Sequence, residues 1–159
     1  MDIKELLQKY IDLNLETDII RCRTFKSAFY ECDMCSANVD DFIKEQQDES
    51  KFQKLLFRYI DSKKLKDSDV YNKAGIDRRL FSKIRNDQDY HPSKETIILL
   101  SLSLELNEDE MLSLLNSASY TLPKNNINDL IIRFCFINKI YDINKVNELL
   151  YDYNCKTLN

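Results

Sequence analysis

The chain has 159 residues, of which 43% are hydrophobic and 31% are charged, and its formal net charge at pH 7 is -4. This composition is that of an ordinary globular protein with one compact core, and no apolar run approaches the roughly 18 residues of a membrane span. The beginning, MDIKELLQKY, lacks the basic and apolar regions of a secretory signal. We therefore expect a cytoplasmic protein without a membrane partner.

Glycine and proline are almost absent, with one glycine, Gly75, and two prolines. Because glycine is the residue that most readily adopts a positive φ, such a chain is expected to consist of helices joined by polar caps. The single glycine is then expected to mark a special backbone position. No alternating strand pattern competes with the helical ones, so the predicted fold class is all-α.

The first 49 residues predict an N-terminal helical arm. Apolar residues recur at three- and four-residue steps between Ile3 and Ile11, including Leu6 and Leu7. A second helix is expected from about residue 17 to residue 30 with Thr17 as its N-cap, and a third at residues 39–43. The polar run KEQQDES then separates this arm from the rest of the chain.

Five helices are predicted between residues 50 and 120. The first begins after Ser50, which has capping-box spacing to Gln53. The second spans about residues 67–74 and ends at Gly75 in the left-handed conformation. Asp77 is expected to cap the third helix, whose buried residues would be Phe81 and Ile84.

The fourth and fifth helices have their own capping signals. Ser93 follows Pro92 and is the expected N-cap of the fourth helix. Asn107 and Glu110 have the reciprocal spacing of a capping box at the start of the fifth. The expected core positions of these helices are Ile97, Ile98, Leu100, Leu102, Leu104, Met111, Leu114 and Leu115.

Two further amphipathic segments, INDLIIRFCFINK and INKVNELLYDY, follow the proline at position 123. They predict a two-helix extension over residues 121–159. The predicted organisation is therefore a helical arm over residues 1–49, a five-helix core over residues 50–120 and this extension.

The segments SDVYNKAGIDRRLFSKIRND and HPSKETIILLSLSLELNEDE resemble the XRE-type helix-turn-helix domains of the Cro and lambda-repressor class. Members have a helix, a glycine followed by Val or Ile, a polar cap, a recognition helix and a Pro-Ser or Pro-Thr entry into a long apolar helix. Gly75, Ile76 and Asp77 hold the turn positions here. Residues 78–85 hold those of the recognition helix.

A second resemblance involves DRRLFSKIR, PSKET and YDINKVNELL. These stretches are similar to C-terminal helical modules of bacterial multidomain proteins, including some macro-domain proteins. A macro domain does not fit into the 50 residues before the predicted core.

The helix-turn-helix resemblance implies duplex-DNA binding through the second helix of the motif. Arg78, Arg79, Ser82 and Lys83 would face the major groove, where arginine pairs with guanine and Lys or Ser contacts phosphate. Arg85 and Lys94 would reach the backbone. Because the net charge gives no overall attraction to phosphate, such binding depends on this local basic face. One recognition helix buries little surface, so a homodimer is expected.

Other features of the motif favour a protein partner. Tyr71 stands four residues before the glycine, where the class prefers a small residue. Leu80, expected on the exposed side of the recognition helix, and Tyr90, in the loop after it, would suit a protein contact. The carboxylates expected near the recognition helix would oppose a phosphate backbone; they are Asp67, Asp69, Asp87 and Asp89.

The five cysteines are odd in number and irregularly spaced, at Cys22, Cys32, Cys35, Cys135 and Cys155. Reduced thiols are expected, without disulfides. Cys32 and Cys35 have metal-ligand spacing, but tetrahedral zinc needs four ligands, so Cys22 and either His91 or Cys135 would have to complete the site. Ordinary thiols are the favoured interpretation, and no metal or cofactor is predicted.

Catalytic motifs are missing from the sequence. His91 is the only histidine and stands beside Pro92, and a phosphate loop cannot be built with one glycine. We therefore expect a non-enzymatic bacterial or phage regulator that binds duplex DNA. The alternative is an adaptor or inhibitor that uses the same fold to dock on a protein.

Overall fold

The computed structural model describes residues 3–21, 52–87 and 90–158, except for the side chains of residues 16–21. Within these ranges the regular structure is helical, and no strand is present, which confirms the all-α prediction. None of these helices has the length and hydrophobicity that a membrane span requires. The helices are α1 Ile3–Arg21, α2 Phe52–Ser62, α3 Asp67–Lys73, α4 Arg78–Asn86, α5 Lys94–Ser103, α6 Glu108–Ser117, α7 Ile127–Ile137 and α8 Ile143–Asp152.

The predicted start of a second helix in the arm, at Thr17, is wrong. Helix α1 continues without a break through Thr17, so this residue is not an N-cap. Leu7 and Ile11 are buried as the periodicity predicts, but Ile3 and Leu6 are exposed. The third predicted arm helix and the Ser50 cap lie outside the described residues.

The predicted N-caps of α4, α5 and α6 are present. The Asp77 carboxylate accepts a hydrogen bond from the Arg79 amide, and Ser93 Oγ accepts one from the Thr96 amide at 3.2 Å. The Asn107 side chain and the Glu110 amide, and the Glu110 carboxylate and the Asn107 amide, form a reciprocal pair at 2.9 Å each. These side chains satisfy amide groups that lack a partner within the helix.

Positive φ angles are not confined to glycine, contrary to the expectation from composition. Gly75 has φ 65°, and five other residues in the described ranges also have positive φ: Lys64, Glu105, Ser119, Lys139 and Asn154. At each of them the next amide donates to a carbonyl five residues back, as Leu106 N does to Ser101 O at 3.1 Å. This is the hydrogen bond of the Schellman motif. It offsets part of the roughly 1–2 kcal/mol that a left-handed L-residue costs.

Helix α5 forms the centre of the core, because every residue from Ile97 to Ser103 is buried. It packs against α3 and α6, while α6 also packs against α2 and α7, and α7 against α1 and α8. One buried apolar cluster includes residues from all eight described helices. Helix α4 lies at the edge of this cluster, packs against α3 and contributes Phe81 and Ile84 to it. The division of the chain at residues 50 and 121 stays a prediction.

Candidate functional site

The turn between α3 and α4 brings the predicted motif residues together. Ala74, the C-cap of α3, is fully buried, Gly75 takes φ 65°, and Ile76 packs into the core before Asp77 caps α4. A Cβ atom on Gly75 would meet nothing within 4 Å. Glycine is therefore favoured here by its backbone angle and not by close packing between the two helices.

Aromatic side chains attach α4 to the core. The ring of Phe81 packs edge-on against Phe57 of α2 at 6.2 Å between centroids, and against Tyr71 of α3 at 5.7 Å. Ile84 is fully buried one turn later. Tyr71 fits between α3 and α4 because its ring lies on Phe81 and remains partly exposed.

The outer face of α4 is cationic. Arg78, Arg79, Ser82 and Lys83 are all exposed, and the helix sequence RRLFSKIRN contains no acidic residue. The side chains of Arg78 and Arg79 make no ion pair with any residue in the described part of the chain. Ser82 Oγ accepts a hydrogen bond from Asn86 Nδ2 at 3.1 Å. This face can donate hydrogen bonds to an anionic or hydrogen-bond-accepting partner.

Two candidate protein-contact residues are less exposed than expected. Leu80 is half-buried against the core, so its predicted position on the exposed side of the helix is wrong. Tyr90 is also half-buried, and the ammonium of Lys83 lies 4.5 Å from the centroid of its ring. A cation–π contact of this kind links α4 to the loop that follows it.

Arg85 and Lys94, the two expected backbone contacts, each have an intramolecular carboxylate partner. Arg85 pairs with Asp67 at the start of α3 and lies over the Phe57 ring, 4.7 Å from its centroid. Lys94 Nζ lies 2.8 Å from Asp129 Oδ1 on α7, with side-chain exposures of 28% and 4%. The other oxygen of Asp129 is buried and has no hydrogen-bond partner among the described residues.

The acidic residues near the motif have different surroundings. Asp67 is neutralised by Arg85, whereas Asp69 accepts a hydrogen bond from the Ser68 hydroxyl at 3.3 Å. Asp87 is the C-cap residue of α4, and Asp89 lies outside the described residues. The repulsion expected from Asp67 towards a phosphate is therefore reduced by its own partner.

Gln53 makes contacts that its capping-box spacing does not predict. Its side chain was expected to take part in a cap on α2, but Nε2 donates to the Ile84 carbonyl oxygen at 2.6 Å and also to the Asp87 carbonyl. Gln53 therefore satisfies the C-terminal end of α4. No local signal indicates this contact, because the two partners are 31 and 34 residues away in the sequence.

The thiol and histidine candidates form no site in the described part of the chain. Cys135 is buried, and this burial raises the pKa of its thiol to about 12. His91 is exposed in the loop before α5. Among the described residues no three His, Cys, Asp or Glu side chains lie close enough to hold a metal ion. Cys22, Cys32 and Cys35 lie outside them.

Comparison with protein-family models, curated proteins and solved structures finds no match to this chain. The candidate site is consequently defined by its own geometry, as the exposed face of α4 formed by Arg78, Arg79, Ser82 and Lys83. We call this surface the cationic face of α4.

Proposed function

We propose that this protein is a non-enzymatic regulator that binds duplex DNA through the cationic face of α4. The observation that supports this most is the exposure of Arg78, Arg79 and Lys83 on one short helix without a carboxylate. The resemblance to XRE-type helix-turn-helix domains assigns the same helix to the major groove. Homodimerisation would place two such helices on adjacent half-sites.

The positions on α4 suggest a division of roles. Arg78 and Arg79 belong to the first turn, the part of a recognition helix that contacts base edges. Lys83 lies further along the helix, where a long side chain reaches phosphate. Because the whole protein is acidic, association depends on these few cations and should be sensitive to salt.

The test is the affinity for a random-sequence duplex, measured by fluorescence anisotropy over a series of salt concentrations. We expect measurable binding at low salt that decreases steeply as salt rises. The double variant Arg78→Gln with Arg79→Gln should weaken binding more than about tenfold. Lys83→Gln should lower the slope of log K against log salt by about 1.

A matched control removes the same charge elsewhere. Lys139 lies in the turn between α7 and α8, and Lys145 lies in α8. Both are exposed and outside the helix-turn-helix segment. Changing both to Gln lowers the net charge by two, as the arginine variant does, and should leave affinity nearly unchanged. Equal losses in the two double variants, or no binding of the wild type at low salt, would contradict the proposed function.

A protein-docking role is the second candidate. It is favoured by Asp69, whose exposed carboxylate lies at the start of α3, beside α4, and would oppose a phosphate backbone. The half-buried rings of Tyr71 and Tyr90 would add apolar surface at such an interface. Absence of duplex binding by a folded wild type would favour this candidate.

A further inference from the structure

Three helices meet at the C-terminal half of α4 through polar and stacking contacts. The Arg85 guanidinium pairs with Asp67 of α3 and lies 4.7 Å from the centroid of the Phe57 ring on α2. Gln53, also on α2, donates to the carbonyl oxygen of Ile84 at 2.6 Å. Arg85 therefore connects α4 to both α3 and α2.

Apolar packing alone leaves the direction of α4 poorly determined. Its two buried side chains, Phe81 and Ile84, are three residues apart on one face of the helix, and Leu80 beside them is only half-buried. A short helix held along one face can still tilt. A planar guanidinium that pairs with a carboxylate on one helix and stacks on a ring of another restricts this tilt.

We infer that Arg85 is a positioning residue and makes no contact with the nucleic acid. It fixes α4 through Asp67 and Phe57, so that Arg78, Arg79 and Lys83 reach the duplex together. The consequence for affinity rests on the proposed function, but the effect on α4 itself does not.

A phosphate-binding role and a positioning role for Arg85 predict opposite effects of the substitution Asp67→Asn on duplex affinity. If Arg85 bound a phosphate, Asp67→Asn would release this cation and remove a repelling charge, so the affinity for duplex would rise. If Arg85 positions α4, Asp67→Asn lowers the affinity, by about three- to fivefold for a partly exposed pair. The sign of the change therefore separates the two roles.

The experiment measures duplex affinity over a salt series for Asp67→Asn, Arg85→Gln and the double variant. Arg85→Gln should weaken binding at least as much as Asp67→Asn, because it removes the contact with Phe57 as well as the pair. The double variant should bind no more weakly than Arg85→Gln, because the pair is already lost in that variant. The salt slope should equal that of the wild type, in contrast to Lys83→Gln. Tighter or unchanged binding by Asp67→Asn, or a slope lowered by about 1 in Arg85→Gln, would overturn the inference.

Asp69→Asn is the matched control. Asp69 also lies in the first turn of α3, but the described structure shows it accepting only from the Ser68 hydroxyl, at 3.3 Å. Removing this carboxylate should leave the affinity unchanged or raise it slightly. A loss as large as that of Asp67→Asn would show that the pair with Arg85 is not the cause, which contradicts the inference.

Hydrogen exchange of the free protein tests the positioning role without DNA. Amides of α4 should exchange several-fold faster in Arg85→Gln and Asp67→Asn than in the wild type, while those of α6 stay unchanged. If the wild type fails to bind duplex, the proposed function fails and this measurement decides the inference. Faster exchange in α4 supports it, and unchanged exchange overturns it.

Discussion

The turn between α3 and α4 and the turn between α5 and α6 have the same backbone conformation. The helices that follow these turns, α4 and α6, nevertheless have different surroundings. In each turn a residue with positive φ, Gly75 or Glu105, is followed by a buried apolar residue and then by an N-cap. In both, the apolar residue, Ile76 or Leu106, donates its amide to a carbonyl five residues back.

The helices after these turns differ in burial and charge. Helix α6 begins with three acidic residues and follows α5, which is buried from Ile97 to Ser103. Helix α4 carries four cations, no acidic residue and only two buried side chains. The conformation of the turn therefore does not distinguish the helix that follows Gly75 from the helix that follows Glu105. Exposure and charge of the helix that follows are what distinguish α4.

The two turns also show two ways to accommodate a positive φ. Gly75 has no side chain and meets nothing nearby. Glu105 has a side chain whose carboxylate pairs with Lys73, and Lys63 Nζ donates to its carbonyl oxygen at 3.1 Å. Contacts with the end of α3 and the turn before it thus offset the unfavourable backbone angle at Glu105.

The largest difference between the turns should appear when their apolar residues are truncated. Leu106 is completely enclosed, whereas Ile76 remains 8% exposed at the edge of the core. We expect Leu106→Ala to lower the free energy of unfolding by about 4 kcal/mol and Ile76→Ala by about 2 kcal/mol, because an enclosed site leaves the larger cavity. Urea unfolding of both variants measures this. An equal or larger loss for Ile76→Ala would contradict the distinction.

Removing a cation from the first turn of α4 or of α5 should change the free energy of unfolding by amounts that differ almost as much. Lys94→Met leaves the Asp129 carboxylate buried without its partner and should cost about 3 kcal/mol. Arg78→Met, on the exposed face of α4, should change the free energy of unfolding by less than about 0.5 kcal/mol. A double variant, Lys94→Met with Asp129→Leu, should recover most of the loss in a denaturation experiment. Failure to recover would show that the uncompensated charge is not the cause.

A smaller effect is expected at Gly75. Because the site has room for a Cβ, Gly75→Ala should cost only the backbone term, about 1 kcal/mol. Gly75→Asn should cost less, since asparagine tolerates the left-handed region better than alanine. Thermal unfolding of both variants would test this. A loss of several kcal/mol in Gly75→Ala would mean that close packing, and not φ, selects the glycine.

The smallest effect should be the pH dependence of the contact between the turns. Hydrogen bonding to Lys73 lowers the pKa of Glu105 below its ordinary value of 4.5, so the carboxylate stabilises the fold above that pH. This contribution is lost as pH falls through the lowered value, and for an exposed pair it is below about 1 kcal/mol. Unfolding at about pH 7 and about pH 3 should show a smaller loss for Glu105→Gln than for the wild type. Glu148→Gln, on the exposed side of α8, should behave like the wild type.

The local features of the fold could be predicted because they depend on residues near each other in the chain. The caps at Asp77, Ser93 and Asn107 each bind an amide two or three residues ahead. The sequence predicts the glycine turn at the right residue, but a positive φ does not require glycine, because five other residues in the described ranges adopt one. Composition cannot reveal contacts such as Lys73 with Glu105 that make this possible.

The candidate site could be predicted only in part. The exposure of Arg78, Arg79, Ser82 and Lys83 follows from helical periodicity, since Phe81 and Ile84 occupy the opposite face. The sequence by itself therefore determined the helices after residue 51, the caps of α4, α5 and α6, and the charge on the outer face of α4. Only the tertiary structure decided that Arg85 and Lys94 face carboxylates on other helices. Such pairs join residues far apart in the chain, and their geometry exists only after the apolar faces have packed.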